Sequence, residues 1–180
     1  GAGTAVFVAS ERGNAAVGIE LLPIGQEIIK TRKSIEDSNV KLILNELKKW
    51  REERPWKHAK NMKSFNILRI TKGAYPKETE SELKRFLWTI DQLKDTSVKQ
   101  VFLFALLCIL ESISYTRKDG QYLRWDSSSG RTNGKRGFDK GYILPFDEAI
   151  IRKLEEIISD LEARGKQLEL FSSKYPRPKG

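Results

Sequence analysis

Gly1-Ala2-Gly3-Thr4 opens the chain, and about 17 residues after Gly3 an apolar run ends in an acid, Glu20. Each part has a mechanical use. Glycines let backbone approach a ligand with no Cβ in the way. A helix starting just beyond them presents N–H groups that have no intrahelical partner. A carboxylate at the end of a strand can accept hydrogen bonds from both hydroxyls of a ribose. Together they describe a nucleoside-cofactor pocket at the carboxyl ends of parallel strands. Alone, the same residues also suit a plain glycine turn and an ordinary exposed Glu20.

The second stretch with chemical potential is 115–142. It holds seven Lys or Arg (117, 118, 124, 131, 135, 136 and 140) against three Asp, a local charge of +4. Tyr122 and Trp125 lie among these bases, and Gly120, Gly130, Gly134, Gly137 and Gly141 make the stretch adaptable. A basic loop can follow a phosphate backbone while its aromatics stack on an unpaired base. On this reading Arg117, Lys118, Tyr122, Arg124, Trp125, Arg131, Lys135 and Arg136 contact nucleic acid. The other reading is a solvated loop with Tyr122 and Trp125 folded onto its neighbours.

Composition narrows the classes. The chain has 180 residues, with 33 Lys plus Arg against 24 Asp plus Glu, a net charge of +9. Such an excess suits a polyanionic partner. One cysteine, Cys108, excludes an internal disulfide framework and a multi-Cys zinc site. One histidine, His58, leaves no His cluster for metal or catalysis, and no metal is expected. Ser127, Ser128 and Ser129 have no evident general base, so nucleophilic catalysis has no support. The longest apolar run, 101–110, is far shorter than a membrane span. The expectation is a reduced, cytoplasmic protein away from membranes.

The elements that must position these residues follow from periodicity. Residues 4–12 predict a short helix stopped at Gly13. Residues 15–21 predict a buried strand, and Pro23 opens a helix to about residue 33. Val40, Ile43, Leu47 and Trp50 recur at helical spacing. Residues 55–76 read as irregular, with one short strand conceivable over 66–70. Leu83, Phe86, Leu87, Ile90 and Leu93 form the stripe of a further helix. Residues 97–115 predict a helix apolar almost all round, hence the central one, with Cys108 as a small buried filler. A last helix over 146–164 carries Ile150, Leu154, Ile157 and Leu161 and stops at Gly165. The expected division is 1–38 as a cofactor-binding segment, 39–165 as a mainly helical lobe with a basic loop at 115–142, and 166–180 as a linker.

The opening motif resembles that of a known family. Gly1-Ala2-Gly3-Thr4-Ala5-Val6-Phe7, followed by Gly18-Ile19-Glu20-Leu21, is similar to the cofactor motif of S-adenosylmethionine-dependent DNA methyltransferases that modify exocyclic amino groups (cytosine-N4 or adenine-N6). The family motif runs D-P-F-x-G-x-G-T, then a helix, then G-I-E, and only its last four residues are present here. The resemblance implies an α/β fold, a partial Rossmann-like methyltransferase domain with a large, mainly helical insertion or lobe. It implies S-adenosylmethionine as cofactor and DNA as partner. Gly1, Ala2, Gly3 and Thr4 would border the methionine part, Glu20 would bind the ribose and Leu21 would lie near the adenine. Residues 114–126 also resemble a stretch found in a subset of these enzymes.

The family's catalytic D/N/S-P-P-aromatic motif accepts hydrogen bonds from the target amino group and stacks on the flipped base. Here Pro23, Pro55, Pro76, Pro145, Pro176 and Pro178 include no adjacent pair. No catalytic residue is therefore assigned, and the expectation is a part of a longer enzyme whose remainder completes it. Two rivals stay open: an RNA methyltransferase, and a non-enzymatic helical module that binds nucleic acid or protein.

Overall fold

The computed structural model describes residues 3–36, 38–120, 122–131 and 137–174, and for Glu11 and residues 166–174 it describes the backbone. Among them are seven α-helices and one two-stranded antiparallel sheet. The chain is mainly helical.

The core grows from the apolar stripes. Helix α3 (Val40–Glu53) buries Ile43, Leu47 and Trp50, the stripe expected from spacing. Asn39 starts it by accepting the Lys41 N–H at 3.1 Å, as an N-cap does. Helix α5 (Lys77–Gln92) buries Leu83, Phe86 and Ile90. Helix α6 (Thr96–Ile109) starts at Asp95, whose carboxylate accepts from the N–H groups of Ser97 and Val98. It is surrounded by α2, α3, α5 and α7. That explains a helix apolar on nearly every face, since each face has a neighbour to exclude water. Five rings join the layers: Trp50, Trp56, Phe86, Phe102 and Phe146 stack or meet edge-on, with centroids 4.1 to 6.4 Å apart.

Four sequence expectations need correction. Helix α6 ends at Ile109 rather than near 115. The Ser112 hydroxyl donates to the Ile109 carbonyl and Ser114 to that of Glu111, so the two side chains compete for the carbonyls that would continue the helix. Cys108 is exposed rather than a core filler. No strand forms over 66–70, which holds only the start of a 3-10 turn, Arg69–Thr71. Trp56, in the same irregular stretch, is fully buried on the short helix α4 (Pro55–His58). Helix α7 (Phe146–Lys174) runs through Gly165 and into the expected linker. Glycine there lacks the positive φ of a helix stop, and a mid-helix glycine costs only about 1 kcal/mol.

The first 38 residues are also changed from expectation. Helix α1 (Thr4–Glu11) forms, and Gly13 follows it with φ 77°. The strand expected over 15–21 does not form: Val17, Ile19 and Leu21 are 95%, 90% and 83% exposed. An apolar strand is stable only when neighbouring strands satisfy its backbone, and none of the described residues pairs with it. Helix α2 (Pro23–Glu36) packs on α6. Gln100 of α6 donates to Glu27 at 2.8 Å and to Thr31 at 3.2 Å, so α2 is bolted to the helical lobe.

Candidate cofactor pocket and basic hairpin

Gly3 is in the left-handed conformation, φ 74°, at the start of α1. A Cβ there would sit 3.0 Å from Ile29 and 3.2 Å from Phe7, so the position needs glycine on both counts. The first-turn N–H groups of α1 receive no side-chain cap. Across from them run residues 18–20. Gly18 lies so close to Val6 that a Cβ would meet its methyl at 2.8 Å. Gly3, Thr4, Val6, Gly18, Ile19, Glu20 and Ile29 surround one cavity of about 340 Å³. That is within the range of small-molecule sites. Arg32 of α2 lies 4.1 Å from the centre of the Phe7 ring and holds α1 to α2.

Glu20 lines this cavity, and its carboxylate accepts the Leu22 N–H at 3.0 Å. Its carbonyl accepts from Gln26 at 3.0 Å. The side chain therefore lies over the start of α2, against Gly25, where a Cβ would come within 2.5 Å of it. Leu21 points away into solvent and does not line the cavity. Gly1 and Ala2 lie outside the described residues. Of the six residues expected around a cofactor, the structure brings together Gly3, Thr4 and Glu20.

The basic stretch is partly a hairpin. Strands β1 (Thr116–Asp119) and β2 (Tyr122–Trp125) pair with Thr116 opposite Trp125 and Asp119 opposite Tyr122. The signal for it is a glycine opening a two-residue connection: Gly120, the first residue after the Asp119–Tyr122 pair, has φ 57°. Side chains alternate across a strand pair. Arg117, Asp119, Tyr122 and Arg124 share one face, and Thr116, Lys118, Leu123 and Trp125 the other. The first face is open: Tyr122 is 79% exposed, and Arg117 and Arg124 are exposed and directly opposed. Arg124 pairs with Asp119 at 2.6 Å. Lys118 is exposed too, although on the second face.

Two expected contacts have other roles. Trp125 is 6% exposed and packs inward, so its ring is not presented to a base. Arg131 covers that ring and donates to the carbonyls of Ile70 and Lys72. Lys135 and Arg136 lie outside the described residues.

Asp126 and Lys140 anchor the stretch, and sequence reasoning passed over both. Asp126 is buried and accepts the N–H groups of Ser128 at 2.8 Å and Lys140 at 2.6 Å, with the Ser128 hydroxyl. These bonds, that from Lys140 above all, hold its carboxyl below the usual range. The Lys140 ammonium donates to the carbonyls of Glu111 and Ser114, and burial pulls its pKa down. A side chain at the end of a strand followed 14 residues later by a lysine gives no periodic signal.

A glycine turn, an uncapped helix start and a carboxylate surround one cavity, and elsewhere on the chain a hairpin presents exposed arginines. The chain is similar to a segment of proteins named type II methyltransferases. It is 54% identical over 160 residues to the type II methyltransferase M.AvaI of Nostoc sp., and equally to that of Anabaena variabilis, covering 89% of this chain and 33% of each relative. It is 35% identical over 176 residues to the type II methyltransferase M.BsoBI of Geobacillus stearothermophilus, covering 90% of this chain and 34% of that relative. The chain thus spans about a third of the length of the curated relatives it matches. No protein-family model and no solved structure matches it. The methyltransferase resemblance read from the opening motif is borne out. Among the described residues no helix is long and apolar enough to cross a membrane.

Proposed function

We propose that the chain is the part of a DNA methyltransferase that supplies one wall of the S-adenosylmethionine site and a DNA-contacting face. The whole enzyme transfers a methyl group to an exocyclic amino group of a DNA base. The observation that carries this is the convergence of Gly3, Thr4, Gly18 and Glu20 on one cavity, together with the relatives' identity as methyltransferases.

The residues fit the cofactor on this side. A backbone without Cβ at Gly3 and uncapped N–H groups suit a carboxylate, and the Glu20 carboxylate suits ribose hydroxyls. Ile19, Val6 and Ile29 give the cavity apolar walls. The bound cofactor supplies the activated methyl; these residues hold and orient it. Residues 15–22 would become a strand of a Rossmann-like sheet when the rest of a longer enzyme covers them, which accounts for three side chains as apolar and as exposed as Val17, Ile19 and Leu21. On the hairpin, Arg117 stands opposite Arg124, whose charge Asp119 partly meets, and a phosphate would accept from both guanidinium groups.

The test is amide NMR of the chain titrated with S-adenosylhomocysteine. Binding should be weaker than about 10 μM, about −7 kcal/mol, because one wall is not a whole pocket. Resonances of Thr4, Gly18 and Glu20 should shift, and Glu20→Gln should lessen the effect. Shifts confined to another part of the chain, or none at saturating ligand, would remove this assignment.

A further inference from the structure

Residues 60–73 cross the surface between α4 and α5 as a strap. They contain Lys60, Lys63, Arg69 and Lys72 and no acid. Lys63 is paired with Asp91 at 2.6 Å. Lys60, Arg69 and Lys72 are exposed and enter no ion pair among the described residues. Between these cations Leu68 and Ile70 are 66% and 67% exposed. Isolated exposed apolar side chains need no explanation. Two at alternate positions, flanked by unpaired cations with no acid in fourteen residues, form a surface of definite chemistry.

The strap is fastened along its length. The Lys63 N–H donates to the Lys84 carbonyl at 3.0 Å, and the Thr71 and Ala74 N–H groups close the turn at Arg69–Thr71. Its far end is tied to the basic hairpin. Arg131 reaches the carbonyls of Ile70 at 3.3 Å and Lys72 at 2.6 Å, and the Tyr115 N–H donates to Ala74 at 2.7 Å. The end of the strap that carries Arg69 and Lys72 is therefore held to the hairpin that carries Arg117, Lys118 and Arg124.

We propose that residues 60–72 are a second DNA-contacting segment, with Lys60, Arg69 and Lys72 on phosphates and Leu68 and Ile70 against sugar and base edges of a groove. The proposal rests on the DNA reading above and extends it to a segment outside the hairpin. Phosphate contacts by Lys and Arg position a protein on duplex DNA. Apolar side chains such as Leu and Ile lie against base edges or wedge between base steps. The lack of any acid over fourteen residues and the tie to the basic hairpin favour a polyanion over a protein surface.

The experiment is fluorescence anisotropy of the 180-residue chain on mixed-sequence duplex DNA across a salt series. The comparison is between K60A/R69A/K72A, R117A/K118A and L68S/I70S. The strap triple variant should make the slope of log K against log salt less negative by about 2.7, at about 0.9 per phosphate contact. The L68S/I70S pair should weaken binding at unchanged slope. Lysine acetylation of the unaltered chain gives a readout free of folding effects: DNA should protect Lys60 and Lys72. A slope altered by R117A/K118A but not by the strap variant, with Lys60 and Lys72 unprotected, would overturn the strap and leave the hairpin. Absence of salt-dependent binding by the unaltered chain would overturn both.

Discussion

The Arg131 guanidinium lies 4.0 Å from the centre of the Trp125 ring. Its planar fork continues past the ring to the backbone carbonyls of Ile70 and Lys72, 61 and 59 residues earlier. A cation that composition marks for phosphate is thus a brace between the hairpin and the strap of 60–73. The flat guanidinium matches both duties, stacking on a ring and donating in two directions at once.

Removing that brace should be costly. Arg131→Ala is expected to lower stability by about 1–3 kcal/mol, from the lost ring contact and two charge-assisted hydrogen bonds. Arg131→Lys should recover little of it, since an ammonium lacks the fork. Urea unfolding measures the loss, and hydrogen exchange at the Tyr115 amide should quicken. A lysine variant as stable as the parent would show that charge, not shape, holds the contact.

The helices were legible because their apolar residues recur at 3.6-residue spacing and find partners within the chain. Ile43, Leu47 and Trp50 are buried where that pattern places them. The run 15–21 carries an equally apolar pattern, but a strand depends on neighbours, and the described residues supply none. The hairpin was hidden by its composition: TRKD and YLRW offer little apolar alternation. In the candidate pocket, Gly3 and Glu20 were legible from the motif. The Leu22 N–H bonded to Glu20 was not, because it arises from where the chain turns into α2.

The aromatic cluster gives the clearest stability test. Phe86 is fully buried and meets Trp50, Trp56, Phe102 and Phe146. Phe86→Ala should cost about 3–5 kcal/mol, the sum of lost burial and the cavity left among rigid rings. Helical circular dichroism followed in urea reports it. A loss below about 1 kcal/mol would mean that neighbouring rings collapse into the space.

Gly3→Ala tests the turn that opens the pocket. Its φ of 74° costs a Cβ-bearing residue about 1–2 kcal/mol, and the new methyl would press on Ile29. Thermal unfolding should move down, and S-adenosylhomocysteine should no longer shift the Thr4 amide. A variant with unchanged stability would show that α1 can start without the left-handed turn.

The last prediction concerns pH and Asp126. Its carboxylate is held below the usual range first by the Lys140 N–H and then by Ser128. A carboxyl whose folded value lies below its unfolded one stabilises the fold fully above the unfolded value, about 3.9. That contribution is lost as pH falls through the folded value. Asp126→Asn keeps the shape but turns an amide N–H₂ toward one of two backbone donors, and should cost about 1–3 kcal/mol at neutral pH. The two proteins should converge as pH falls from about 5, because the parent then loses what the variant never had. Urea midpoints measured at several pH values decide the matter. A gap between the two that stays constant down to the acid limit would mean that Asp126 holds the 126–140 stretch through packing rather than through its charge.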